Sequence, residues 1–118
     1  MSKILESNTY TNISKRNFKK VRSEIEGDCY LTPEAKDVRI TALRLNYLES
    51  LKNKAAGSLD SMVLLNVKDK MSKEDGTKKG LIKICYKTSN KNTLSRVQKE
   101  LDTLVTNQIS FLEEIIGL

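Results

Sequence analysis

Residues 31–57, LTPEAKDVRITALRLNYLESLKNKAAG, limit the folds open to this chain more than any other stretch. Thr32 is placed to cap a helix. Pro33 falls at the first helical position, where its missing N–H costs nothing, and Glu34 meets the positive end of the helix dipole. Val38, Ala42, Leu45, Leu48 and Leu51 then recur at helical spacing, with Ala35, Leu43 and Tyr47 at the edges of the stripe and Gly57 placed to close it. A helix this long with one apolar face has to bury that face. The partner surface must be aliphatic, because Trp is absent and aromatics are 5% of the chain. With 118 residues, 38% of them hydrophobic, the chain supports one small domain with a modest core. Small aliphatic domains often complete their core by pairing, so a homodimer is expected.

Residues 1–12 show no periodicity and are expected to form a flexible arm ahead of a single domain over 13–118. Ser14 is placed to cap a first helix running to about Glu26. Phe18, Val21 and Ile25 lie on one face of it, and Gly27 is placed to end it. The last segment, about 93–116, reads as a long helix. Leu94, Val97, Leu101, Leu104, Gln108, Phe111, Ile115 and Leu118 alternate by three and four, with Gln108 interrupting the seam. Val105, Ile109, Leu112 and Ile116 form a second stripe, so this helix is expected to be buried on more than one side.

The stretch between, residues 62–87, MVLLNVKDKMSKEDGTKKGLIKICYK, admits two readings. Met62–Lys68 and Leu81–Thr88 are rich in Val, Leu, Ile and Tyr, and the second run alternates. Asp75-Gly76 and Gly80 between them supply turn residues. Leu59, Met62, Val63 and Val67 also fit a helical face with Ser58 as cap. A lone strand over 81–88 would need a partner, which favours a β-hairpin over about 62–88. The expected fold is therefore α+β and mostly helical, in the order α-α-β-β-α.

The balance of 21 Lys+Arg against 15 Asp+Glu gives a net charge of +6. It favours an anionic partner: DNA or RNA, an acidic protein, or a charged surface. Residues 61–91 carry eight lysines against three acids, so most of the net charge lies in the expected hairpin. A lysine-rich hairpin beside helices resembles, in outline, the wing of winged-helix proteins, which implies contact along a phosphate backbone. Asp69, Glu74 and Asp75 blunt such a grip, and a solvated loop that keeps strand edges from pairing fits the same residues at least as well. A second patch covers the face opposite Phe18, Val21 and Ile25. There Lys15, Arg16, Lys19, Lys20 and Arg22 place five basic groups within eight residues. The candidate anion-binding residues are these five together with Lys78 and Lys79. The two patches reinforce each other only if they share a face. The GDCYL link resembles a helix-turn-helix connection loosely. It is longer than the usual three to four residues, and a longer helix follows it.

Enzyme chemistry finds little support. Histidine is absent, which removes His-dependent triads, Cys–His pairs and imidazole metal sites. Neither GxxxxGK[ST] nor GxGxxG occurs. No catalytic residue, metal ligand or cofactor is expected. Cys29 and Cys85 lack a CxxC partner and do not make a disulfide framework. They read as small buried hydrophobes in a reducing, cytoplasmic setting. No segment approaches the roughly 18 apolar residues of a membrane span. The expected function is a small non-enzymatic binding or regulatory protein that contacts nucleic acid or another anionic partner through helix 14–26 and the hairpin tip. The alternative is a protein–protein interaction module, an inhibitor, adaptor or assembly subunit, acting through the apolar C-terminal helix. Its interface, which is also the dimer seam, would be Leu101, Leu104, Gln108, Phe111, Ile115 and Leu118.

Overall fold

The computed structural model describes residues 13–118 and forms four helices there. They are α1 (Lys15–Glu26), α2 (Pro33–Ser58), α3 (Ser61–Lys87) and α4 (Lys91–Ile116). The expected N-terminal arm, residues 1–12, lies outside the described residues.

Local chemistry sets each helix start. Ser14 Oγ accepts the Asn17 N–H at 3.2 Å, and Thr32 Oγ1 accepts that of Ala35 at 3.1 Å. Asp60 Oδ1 accepts from Val63 at 3.0 Å, and Asn90 Oδ1 from Thr93 at 3.1 Å. Each satisfies one of the N–H groups a helix start leaves open. α2 runs through Gly57 and stops at Leu59, the residue before the next cap. α4 ends in a left-handed turn at Gly117 (φ 88°), which sends the Gly117 and Leu118 N–H groups back to the Glu113 carbonyl.

No strand occurs among the described residues, so the α+β expectation fails. Residues 61–87, read as a hairpin, are one 27-residue helix. It starts from Asp60 rather than Ser58, and Asp75, Gly76 and Gly80 lie inside it instead of forming a turn. Val67, Met71, Lys78 and Cys85 are buried along one face, and Leu64, Leu81 and Ile82 are half-buried beside them. A helix also satisfies its own backbone groups. The second run, Leu81–Thr88, therefore needs no pairing strand.

α4 lies at the centre, packed against α2 and against α3, while α1 lies on α2. The result is a flattened body of 44 × 29 × 19 Å. This position accounts for the two apolar stripes of α4. Leu101, Val105, Ile109 and Leu112 are buried, and so are Val97 and Gln108. The buried face of α2 holds Val38, Ala42, Leu48 and Leu51 of the expected stripe and extends over its edge. Leu43 and Tyr47 are wholly buried, whereas Leu45 is only half-buried. Phe18 fastens α1 by stacking on Tyr47, with ring centroids 4.4 Å apart and planes 10° from parallel. Cys85 is buried but Cys29 is exposed, which corrects the reading of both as core residues. No helix among the described residues is long and apolar enough to cross a membrane.

Candidate anion-binding cleft

Positions 15, 19 and 22 are spaced by four and three, so Lys15, Lys19 and Arg22 form one row along α1. That row faces α4 across a cleft of about 180 Å³, closed by Arg44 of α2 and by Thr106, Ser110 and Glu113 of α4. Arg16 and Lys20 form the next row, exposed on the outside of α1.

Contacts with aromatic and acidic groups position the cleft cations. The Arg22 guanidinium lies 5.5 Å from the centre of the Phe18 ring, which itself stacks on Tyr47. Arg22 also meets Glu26 at 3.5 Å. Arg44 Nη1 lies 3.4 Å from Asp102 Oδ1, which accepts the Thr41 hydroxyl at 2.8 Å. Burial raises the Asp102 carboxyl above the usual carboxylate range, and the Thr41 and Arg44 contacts only partly offset this. Glu113, the one acid lining the cleft, is doubly engaged. It accepts the Tyr47 hydroxyl at 2.7 Å and meets Lys15 Nζ at 3.5 Å. Burial, followed by the hydrogen bond and charge of Glu113, pushes the Tyr47 phenol well above its ordinary value, so it stays a donor. Lys19, Arg16 and Lys20 make no ion pair among the described residues. Four cationic side chains and two hydroxyls thus line the cleft, with Lys15, Arg22 and Arg44 paired to Glu113, Glu26 and Asp102 and Lys19 left without an ion pair among the described residues. Such a site can hold a phosphate by charge-assisted hydrogen bonds.

The other candidate residues lie elsewhere. α1 borders the Thr106–Ser110–Glu113 edge of α4. α3 borders a different edge, where Gln108 Nε2 donates to Asp75 at 3.0 Å and Lys70 Nζ lies 4.3 Å from the Phe111 ring centre. The two basic patches are therefore separated by α4. Lys78 is only 7% exposed and is held by Asp75 at 3.3 Å, while Lys79 is exposed on α3. Burial lowers the Lys78 ammonium pKa, and the nearby Lys52 lowers it further against the opposing pull of Asp75. For Asp75, burial would raise the carboxyl. The Gln108 hydrogen bond and the ammonium groups of Lys78 and Lys52 outweigh that and hold it below its ordinary range.

In the C-terminal seam, Leu101 and Gln108 are covered by the chain's own helices. Leu104, Phe111 and Ile115 are half-buried, and Leu118 is exposed. Sequence reasoning missed Arg44, Thr106, Ser110 and Glu113. The spacing 106, 110, 113 does mark a polar ridge along α4. Arg44 offers no comparable sign, because it sits inside the apolar pattern of α2.

No protein-family model, curated protein or solved structure matches this chain.

Proposed function

We propose that the chain is a small non-enzymatic binding protein that engages DNA or RNA through backbone phosphates, with α1 as its contact element. The observation that carries this reading is the row Lys15–Lys19–Arg22 facing Arg44 across the cleft, with Arg16 and Lys20 free beside it. The row grips a phosphate in the cleft, and the outer pair meets its neighbours along the strand. Phosphate contacts carry no base information, so recognition in this reading rests on the backbone and is tolerant of sequence.

Six cations in contact give a slope of log affinity against log salt of roughly −4 to −5. Binding of fluorescent random-sequence single-stranded and duplex oligonucleotides, measured between 50 and 200 mM salt, reads that slope. The triple variant Arg16→Gln/Lys19→Gln/Lys20→Gln removes only exposed cations without ion pairs and should flatten it by about 2 to 3. Absence of binding at 50 mM salt, or a triple variant with an unchanged slope, overturns the proposal.

A protein-interaction role is favoured by one observation. Met62 (70% exposed) and Leu65 (61%) stand at the start of α3, and Leu118 is also exposed at the end of the chain. A partner held there would be lost on Met62→Ser/Leu65→Ser substitution with the fold intact.

A further inference from the structure

A second cleft, of about 360 Å³, lies between α2 and α3 and is floored by α4. Its walls are aliphatic: Ala55, Leu64, Val67, Met71 and Leu112 line it, and all but Leu64 are buried. Its polar rim is cationic, with Lys52 and Lys68 beside Ser72 and Asp75. The charge there is unbalanced. Asp75 Oδ1 meets Lys78 Nζ at 3.3 Å and Lys52 Nζ at 3.6 Å, so two ammonium groups converge on one carboxylate oxygen. Gln108 donates to the same oxygen at 3.0 Å. Lys52 also meets Glu49 at 3.7 Å, so Lys52 and Lys78 are matched by Asp75 and Glu49, and the excess positive charge at the rim is that of Lys68, which makes no ion pair among the described residues. The site thus offers an aliphatic interior, a volume near the lower end of the roughly 300–1,000 Å³ typical of ligand clefts, and an unneutralised positive charge at its mouth.

We propose that the cleft between α2 and α3 binds a small apolar carboxylate, with its chain against Val67, Met71 and Leu112 and its head group on Lys52 and Lys68. An anionic head answers the positive charge of Lys68, which Asp75 and Glu49 leave unmatched. A neutral head leaves Lys68 as it is, and a cationic one adds a third positive charge to the rim. An aliphatic tail replaces water along walls that offer it no hydrogen bond. A head group without a tail gains only a solvent-screened ion pair. This inference is independent of the phosphate-binding reading, because α1 contributes nothing to the cleft.

The test titrates the full chain, with the Met methyl groups labelled, using decanoate, decanol, decylammonium and acetate. Decanoate is expected to saturate and to shift the Met71 methyl resonance. Decylammonium and acetate should bind at least about tenfold more weakly, as expected for loss of a charge-assisted contact or of the buried tail. Lys52→Met should weaken decanoate about tenfold or more, and Ala55→Leu should block it by filling the cleft from the α2 wall. Circular dichroism checks that each variant folds. If Ala55→Leu does not fold, Lys68→Gln, which is exposed, replaces it and should weaken decanoate as well. The proposal is overturned if decanoate does not saturate or leaves Met71 unmoved. It is equally overturned if decylammonium binds as tightly, or if Lys52→Met binds decanoate unchanged.

Discussion

Gly76 and Gly80 test the architecture most directly, because a hairpin and a helix require opposite things of them. In a hairpin loop they would serve the turn, and an added Cβ would strain it. In α3 both are exposed in a helix interior, neither has a positive φ, and a Cβ at either position meets nothing within 4 Å. The added methyl groups therefore cost nothing in packing. They restrict the unfolded chain and recover helix propensity, about 0.8–1.0 kcal/mol per exposed site. The positions are four apart, but two methyl groups in open space have little to exchange, so the effects should add to within about 0.5 kcal/mol. Gly76→Ala/Gly80→Ala should then stabilise by about 1.6–2 kcal/mol, which raises Tm by roughly 6–8 °C at about 4 °C per kcal/mol for a domain of this size. Urea unfolding followed at 222 nm gives the same quantity as a rise in midpoint with an unchanged m-value. Gly117 supplies the contrast. Its φ of 88° disfavours any Cβ, so Gly117→Ala should destabilise by about 1 kcal/mol. A double variant less stable than the parent, or no different from it, would refute the helical account of 61–87.

Asp75→Asn should destabilise by about 2–3 kcal/mol, because it leaves buried Lys78 and half-buried Lys52 without their shared counter-charge. Lys78→Met leaves Asp75 held by Lys52 and Gln108 and should change stability by less than about 1 kcal/mol; equal losses in the two variants would contradict the asymmetry. Since the folded pKa of Asp75 lies below the unfolded one, its contribution is complete above about pH 4 and is lost as pH falls through the folded value. Denaturant midpoints of parent and Asp75→Asn should accordingly converge at the acid end of a pH series. Leu101→Ala truncates a side chain with no exposure at the centre of α4 and should cost about 3–4 kcal/mol by urea melt, with a smaller loss pointing to a looser core.

The helices at either end of the chain were legible in residues whose meaning is local. Ser14, the Thr32-Pro33-Glu34 start and the three-four alternation after residue 93 each act within one or two turns, and the structure uses them so. Residues 61–87 were not legible, because local and tertiary signals conflict there. Asp75-Gly76 and Gly80 are turn residues by preference. The buried face of α3 is also interrupted midway, where Asp75 and Lys78 occupy positions that a plain amphipathic helix fills with apolar groups. Removing the middle of the stripe leaves two short apolar runs, which look like strands. In the candidate cleft, α1 supplied a row of charges visible in one segment. Arg44, Thr106 and Ser110 come from distant segments and gain meaning only when α2 and α4 are placed beside α1.

The two interruptions that obscured the pattern turn out to be one feature. Gln108 breaks the seam of α4, and Asp75 with Lys78 breaks the stripe of α3. In the folded chain these breaks face each other, joined by the Gln108–Asp75 hydrogen bond at 3.0 Å. Buried polar groups of this kind add little to stability on balance, since desolvation offsets much of their attraction. Gln108 Oε1 indeed finds no donor among the described residues. Their effect is on alternatives. Sliding α3 by one helical turn along α4 would break the Gln108–Asp75 hydrogen bond and move Asp75 to the level of Leu104 and Val105 or of Phe111 and Leu112. Loss of that bond costs on the order of 1–3 kcal/mol, so such a register is disfavoured even where its packing is equal. In a core rich in interchangeable Leu, Ile and Val, the polar break favours the alignment in which Gln108 and Asp75 meet. It also brings Lys52 against Asp75 at the rim of an aliphatic cleft.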